Sequence, residues 1–170
     1  MKRISVFFVL AFFIFAVSGC GSSHIRIINP TRGNVGRVNS IQVNEVKSDV
    51  PVTKEVCDEI RKILIKNLKL SKAFDSVSEY DGAIAIDSKI TRFNAGNQFS
   101  RWMWGGLDKS AEGILMLETI FTDKKAGEEI AKIATEGTIS DGLFGGSVES
   151  AYSNAIQEIV KFAEDNFGKK

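Results

Sequence analysis

Two cysteines and a single histidine bound the chemistry open to this chain of 170 residues. Cys20 follows Val17-Ser18-Gly19 at the end of an apolar run, a setting that suits modification of the thiol rather than catalysis by it. Cys57 falls in a helical pattern close to Ile60 and Leu64 and reads as a small buried hydrophobe rather than a reactive nucleophile. With Cys20 committed elsewhere, Cys57 stands alone and no internal disulfide is expected. His24 is the only histidine and lies just after Cys20. A Cys-His pair, a Ser-His-Asp triad and a His-based zinc site are therefore excluded. Acidic residues are numerous but scattered. Glu112 or Glu118 could face another carboxylate across a sheet, as glycoside cleavage requires, yet no spacing selects such a pair. No Asp-rich loop has calcium spacing, and no metal or cofactor is expected.

Binding chemistry is better represented. Both tryptophans lie in one Gly-bounded stretch, Gly96 to Leu107, together with Phe99, Arg101 and Met103. Trp and Arg are the residue types that most often dominate interfaces, so Asn97, Phe99, Arg101, Trp102 and Trp104 are the candidate partner-binding residues. Two other readings stay open: the rings fold back to cap the core, or they meet a membrane surface, where an indole keeps its N–H wet. A second Gly-rich stretch, Gly142-Leu143-Phe144-Gly145-Gly146-Ser147, leads into a helix. It lacks the lysine of a phosphate loop and reads as a turn with Ser147 as N-cap.

The elements that hold these residues begin with the leader. Lys2 and Arg3 precede an unbroken apolar run from Val6 to Val17, then Ser18, Gly19 and Cys20. That is the order of an export signal, and the run falls short of the roughly 20 apolar residues that span a bilayer as a helix. Val17-Ser18-Gly19-Cys20 resembles the lipobox of bacterial lipoproteins. The resemblance implies cleavage before Cys20, acylation of that residue as a diacylglycerol cysteine carrying palmitate-type chains, and a lipid-anchored protein at the cell membrane. Gly21, where an aspartate would retain the protein at the inner membrane, implies the periplasmic face of the outer membrane. An uncleaved anchor or a plain secretory signal are the alternatives. The expected organisation is a signal peptide over 1–19, a lipidated N-terminus and flexible tether over 20–36, and one domain over 37–170.

Composition narrows the partners. Twenty-two Lys+Arg stand against 21 Asp+Glu; losing Lys2 and Arg3 leaves the remainder near neutral. No basic stripe stands out, so nucleic acid is not an expected partner. The length suits one domain with a real core.

Periodicity fills in the domain. Arg37 to Val46 reads as a strand, with His24 to Asn29 a weaker candidate for an edge strand. Thr53 is a plausible N-cap for a helix whose face is Val56, Ile60, Ile63, Leu64 and Leu68. Short strand character follows at Ser76-Val77-Ser78. Ala83 to Phe93 alternates, with Ile84, Ile86 and Ile90 on one side and Asp87 and Lys89 on the other. Ala111 to Thr122 and Glu129 to Ile139 form a hairpin across Asp123–Gly127. A last helix presents Tyr152, Ala155, Ile156, Ile159, Phe162 and Ala163 and stops at Gly168. The expected fold class is α+β: a two-layer sandwich, with a mostly antiparallel sheet of about four to five strands and two helices packed on one face.

The pattern Arg92-Phe93-Asn94-Ala95-Gly96-Asn97, Arg101, Gly105-Gly106, the turn Asp123…Gly127-Glu128 and the Gly142–Ser147 run are similar to those of the DUF4410 family of uncharacterised bacterial lipoproteins, over most of residues 37–167. The resemblance implies location and fold but no activity. The element order also looks like that of small α+β domains of periplasmic assembly factors, a likeness of fold only. The expected function is a lipid-anchored, periplasm-facing binding or assembly module with an envelope protein partner, not an enzyme. An envelope hydrolase using carboxylates, or a purely structural outer-membrane component, are the alternatives.

Overall fold

Alternation of apolar and polar residues, carried over four long strands, builds the sheet that organises this chain. The computed structural model describes residues 22–31, 36–94, 113–139 and 148–169. In chain order the elements are β1 (Ser22–Asn29), β2 (Ser40–Val43), β3 (Lys47–Ser48), α1 (Lys54–Ser71), β4 (Ser76–Ser78), β5 (Ile84–Asn94), β6 (Gly113–Asp123), β7 (Glu128–Ile139) and α2 (Val148–Phe167). The strands form one sheet in the order β1-β7-β6-β5-β2-β4, with β3 beside β5.

The β6–β7 hairpin turns where the Asp123 carboxylate accepts from the backbone N–H groups of Lys125 and Ala126 at 2.8 and 3.1 Å. Gly127 adopts φ 69° there, a conformation glycine takes without steric cost. Leu115, Leu117, Thr119 and Phe121 of β6 face inward beside Ile86, Ser88 and Ile90 of β5 and Ile133 and Thr135 of β7. Over this face lie both helices, which also touch each other. α1 buries Ile60, Leu64 and Leu68, and α2 buries Tyr152, Ile156, Ile159, Phe162 and Phe167. Phe121, Phe162 and Phe167 meet with ring centroids 5.2–6.1 Å apart, so one aromatic cluster ties β6 to the end of α2.

Two expectations need correction. The sheet is larger than four to five strands and is mixed: β2 pairs in parallel with β4 and β5, and β3 in parallel with β5. The physical reason is α1, a crossover that carries the chain back to the same end of the sheet and so forces β4 to run alongside β2. The β4–β5 link then passes hard against β2, with Gly82 where a Cβ would lie 2.3 Å from the Gln42 backbone nitrogen. The other correction concerns the stretch read as tether. Ser22–Asn29 is an edge strand, as the weaker candidate His24–Asn29 offered, antiparallel to β7, and α2 contacts it.

Candidate functional site

The register of the long strands decides which segments share an end of the sheet. Ser22 pairs with Thr138, Thr138 with Ile114, and Ile114 with Asn94. These four residues form one row. Cys20 precedes that row by two residues, the segment 95–112 is bracketed by Asn94 and Gly113, and the segment 140–147 follows Ile139. Cys20 and the candidate residues Asn97, Phe99, Arg101, Trp102 and Trp104 lie outside the described residues, as do Glu112 and Gly142–Ser147. Their described neighbours nevertheless converge on one end of the sheet. That convergence depends on strand register, which the sequence pattern does not carry.

A second feature borders this end. β1 has no strand on its outer side among the described residues. Its side chains alternate: Ser23, Ile25 and Ile27 face the helix layer, opposite Gly137, Thr135 and Ile133, while His24 and Arg26 face the other side, opposite Glu136 and Ala134. Two hydrogen bonds fasten the strand region to α2, from Ser23 Oγ to Glu158 Oε1 at 2.7 Å and from Thr31 Oγ1 to Asn166 Oδ1 at 3.0 Å. Between them a groove of about 480 Å³ is lined by Ile25, Ile27, Pro30, Lys161, Phe162 and Asp165. Ile25, Ile27 and Ile28 are 39%, 54% and 38% exposed. The only other exposed large hydrophobics among the described residues are Leu70 and Tyr80.

The sheet face away from the helices is half-buried rather than open apolar surface. Ile114, Met116 and Ile120 of β6 sit there beside Glu118, whose carboxylate pairs with Lys132 Nζ of β7 at 2.9 Å. The contact recorded for Glu118 is thus to an ammonium group, the partner that keeps a carboxylate ionised. Among the described residues, no group of three His, Cys, Asp or Glu side chains could hold a metal ion.

Cys57 is half-buried against the core. Burial pushes its thiol up from the ordinary value, and neighbouring Asp58 adds to the shift, so the thiolate is disfavoured. The buried Thr135 hydroxyl has no hydrogen-bond partner among the described residues, whereas Ser88 and Thr119 satisfy each other at 3.0 Å. Arg61 clamps the end of β2: Nη2 donates to the Val43 carbonyl at 2.8 Å, and Nη1 donates to Glu79 at 3.0 Å. These contacts position elements and carry no chemistry of their own.

Fold and edge together define a two-layer α+β domain with an open mixed sheet and an apolar edge strand at its N-terminal side. The chain belongs to the DUF4410 family, a domain of unknown function, whose model matches residues 27–142. Comparison with curated proteins finds no match. Among solved structures it is similar to the PelC dodecamer from Paraburkholderia phytofirmans (TM-score 0.57, 10% identity, covering 89% of this chain and 100% of that one). It is also similar to XCC0632 from Xanthomonas campestris, of family DUF330 (TM-score 0.53, 8% identity, covering 81% and 85%). The hypothetical protein CT253 from Chlamydia trachomatis has TM-score 0.52 and 7% identity, covering 75% of this chain and 97% of that one. At these identities the likeness is one of fold. No helix among the described residues is long and apolar enough to cross a membrane.

Proposed function

We propose that this chain is a lipoprotein of the cell envelope, cleaved before Cys20, acylated there, and held at the periplasmic face of the outer membrane. In this reading it works as a binding or assembly module, and Asn97, Phe99, Arg101, Trp102 and Trp104 form the surface that captures an envelope protein. The observation that carries it is the row Ser22, Thr138, Ile114 and Asn94. A chain anchored through Cys20 carries the flanks of the tryptophan segment at its anchored end, so a patch there would be presented to a partner at the membrane. The residue types fit capture rather than turnover: Trp and Arg anchor interfaces, and Glu118 is neutralised by Lys132.

The experiment has two arms. Metabolic labelling with a fatty-acid probe should mark the protein, and Cys20→Ala should abolish the label and release the protein from membranes; an unmarked, unreleased protein overturns the anchor. Crosslinking in cells from a photoreactive residue at position 102 or 104 should return one specific envelope protein. Recovery of no specific protein, or turnover of cell-wall fragments by the purified domain, overturns the binding role.

A further inference from the structure

Resting on the anchored reading above, we infer that the bilayer surface is the occupant of the β1 edge: Ile25, Ile27 and Ile28 lie in the interfacial layer, and the domain reclines on this edge. The first argument is chain length. Ser22 begins the strand two residues after Cys20, and an extended chain spans at most about 3.6 Å per residue. An acylated Cys20 therefore leaves almost no slack, and the start of β1 is confined to headgroup range. From there the domain either stands on the end of its sheet, with β1 rising into water, or lies along β1.

The side chains select the second posture. Ile25, Ile27 and Ile28 are exposed within four positions. Apolar side chains grouped this way gain by entering the boundary between headgroups and acyl chains. Arg26 stands on the opposite side of the strand from Ile25 and Ile27, and Lys161 borders the groove, so cations flank the apolar row and suit an anionic surface. Glu158 and Asp165 line the same groove, but Glu158 is held by the Ser23 hydroxyl. The free backbone groups of an edge strand cannot enter hydrocarbon, which sets the depth: backbone among hydrated headgroups, isoleucines just below.

A protein strand is the less suitable occupant. The register of β1 shifts between Ile27 and Asn29, and bulges of this kind spoil an edge for continued pairing.

The test uses full-length protein matured in cells and reconstituted into phosphatidylcholine–phosphatidylglycerol vesicles that contain a shallow spin-labelled lipid. In a Cys57→Ser background, Ile27→Cys and Tyr80→Cys are each labelled with an environment-sensitive dye. Tyr80 is 86% exposed and follows β4, the opposite edge strand. Quenching should be several-fold stronger at position 27 than at position 80, and unchanged as protein density in the vesicle rises. Equal quenching at the two positions, with Cys20 acylated by mass measurement of the N-terminal peptide, overturns the reclining posture and leaves the anchor standing. Quenching at position 27 that fades at high protein density means a second copy covers the edge, which also overturns it. An unacylated Cys20 removes the anchor reading itself.

Discussion

Gly137 allows α2 to lie closer to β7 than any other residue would. A Cβ at this position would fall 2.1 Å from the Ala151 carbonyl oxygen and 2.6 Å from the Ala155 nitrogen, backbone atoms that cannot swing aside. Gly137→Ala should therefore lower stability by about 1–3 kcal/mol, the usual cost of overpacking. The measurement is urea unfolding, read as a lower midpoint at unchanged slope. Gly36→Ala serves as the control, since no described residue lies within 4 Å of the added carbon, and its midpoint should not fall. The second residue-scale expectation concerns Cys57, whose raised thiol pKa comes first from burial and then from Asp58. A raised folded value keeps the thiol protonated through neutral pH. In the Cys20→Ala chain, where Cys57 is the only thiol, alkylation by iodoacetamide should begin at higher pH in the folded protein than in urea. Coincident pH profiles would contradict the assignment. The inert character of Cys57 was readable from its helical neighbours Ile60 and Leu64. The role of Gly137 was not, because a glycine inside a strand looks like weakness until the helix above it is known.

Elements with strong periodicity emerged close to their true bounds. β5, β6, β7, α1 and α2 each bury one stripe against a layer of the opposite kind, and such stripes are what a linear pattern records. β1 was legible only as the weaker edge-strand candidate His24–Asn29, because its isoleucines stay exposed at an edge and burial never imposed a clean alternation on it. The parallel pairing of β2 with β4 escaped for a different reason: strands of three and four residues carry too little pattern to show direction, and only the crossover through α1 determines it. The end of α2 makes the element scale testable. Arg37 Nη1 donates to the carbonyls of Glu164, Asp165 and Gly168 at 3.1, 3.1 and 2.8 Å; the Glu164 carbonyl also accepts the Gly168 N–H, and the guanidinium meets the negative end of the helix dipole. Arg37→Ala should cost about 1 kcal/mol, moderated by the solvent around this site. Hydrogen exchange should quicken in the last turn of α2 more than in β6. Arg37→Lys should restore part of the protection, because the ammonium keeps a charge near the dipole but on a shorter side chain that ends before the position of Nη1. Uniform loss of protection across both elements would mean that Arg37 supports the whole fold instead.

At the scale of the whole molecule, one core joins the two layers. The buried core runs through both helices and the inward faces of β2, β5, β6 and β7, and the cluster of Phe121, Phe162 and Phe167 closes it. In the candidate site, the residue types were legible, because two tryptophans and an arginine within a glycine-bounded stretch stand out in any reading of this chain. What the linear pattern did not carry is that Asn94 and Ile114 share a row with Ser22, and so that this segment departs from the end nearest Cys20. The docking reading gives the final prediction. On that reading the indoles face a partner, so replacing Trp102 and Trp104 together with serine should leave the thermal midpoint of the domain within about a degree or two, since surface substitutions usually change stability by under 0.5 kcal/mol. The same change should weaken capture of the crosslinked partner, because loss of an aromatic anchor typically costs an interface 2 kcal/mol or more, roughly a thirtyfold loss of affinity. Calorimetry and a pull-down with the identified partner read the two quantities independently. A midpoint that falls by about ten degrees would show that the indoles complete the core, and the docking surface would then have to be sought elsewhere on the domain.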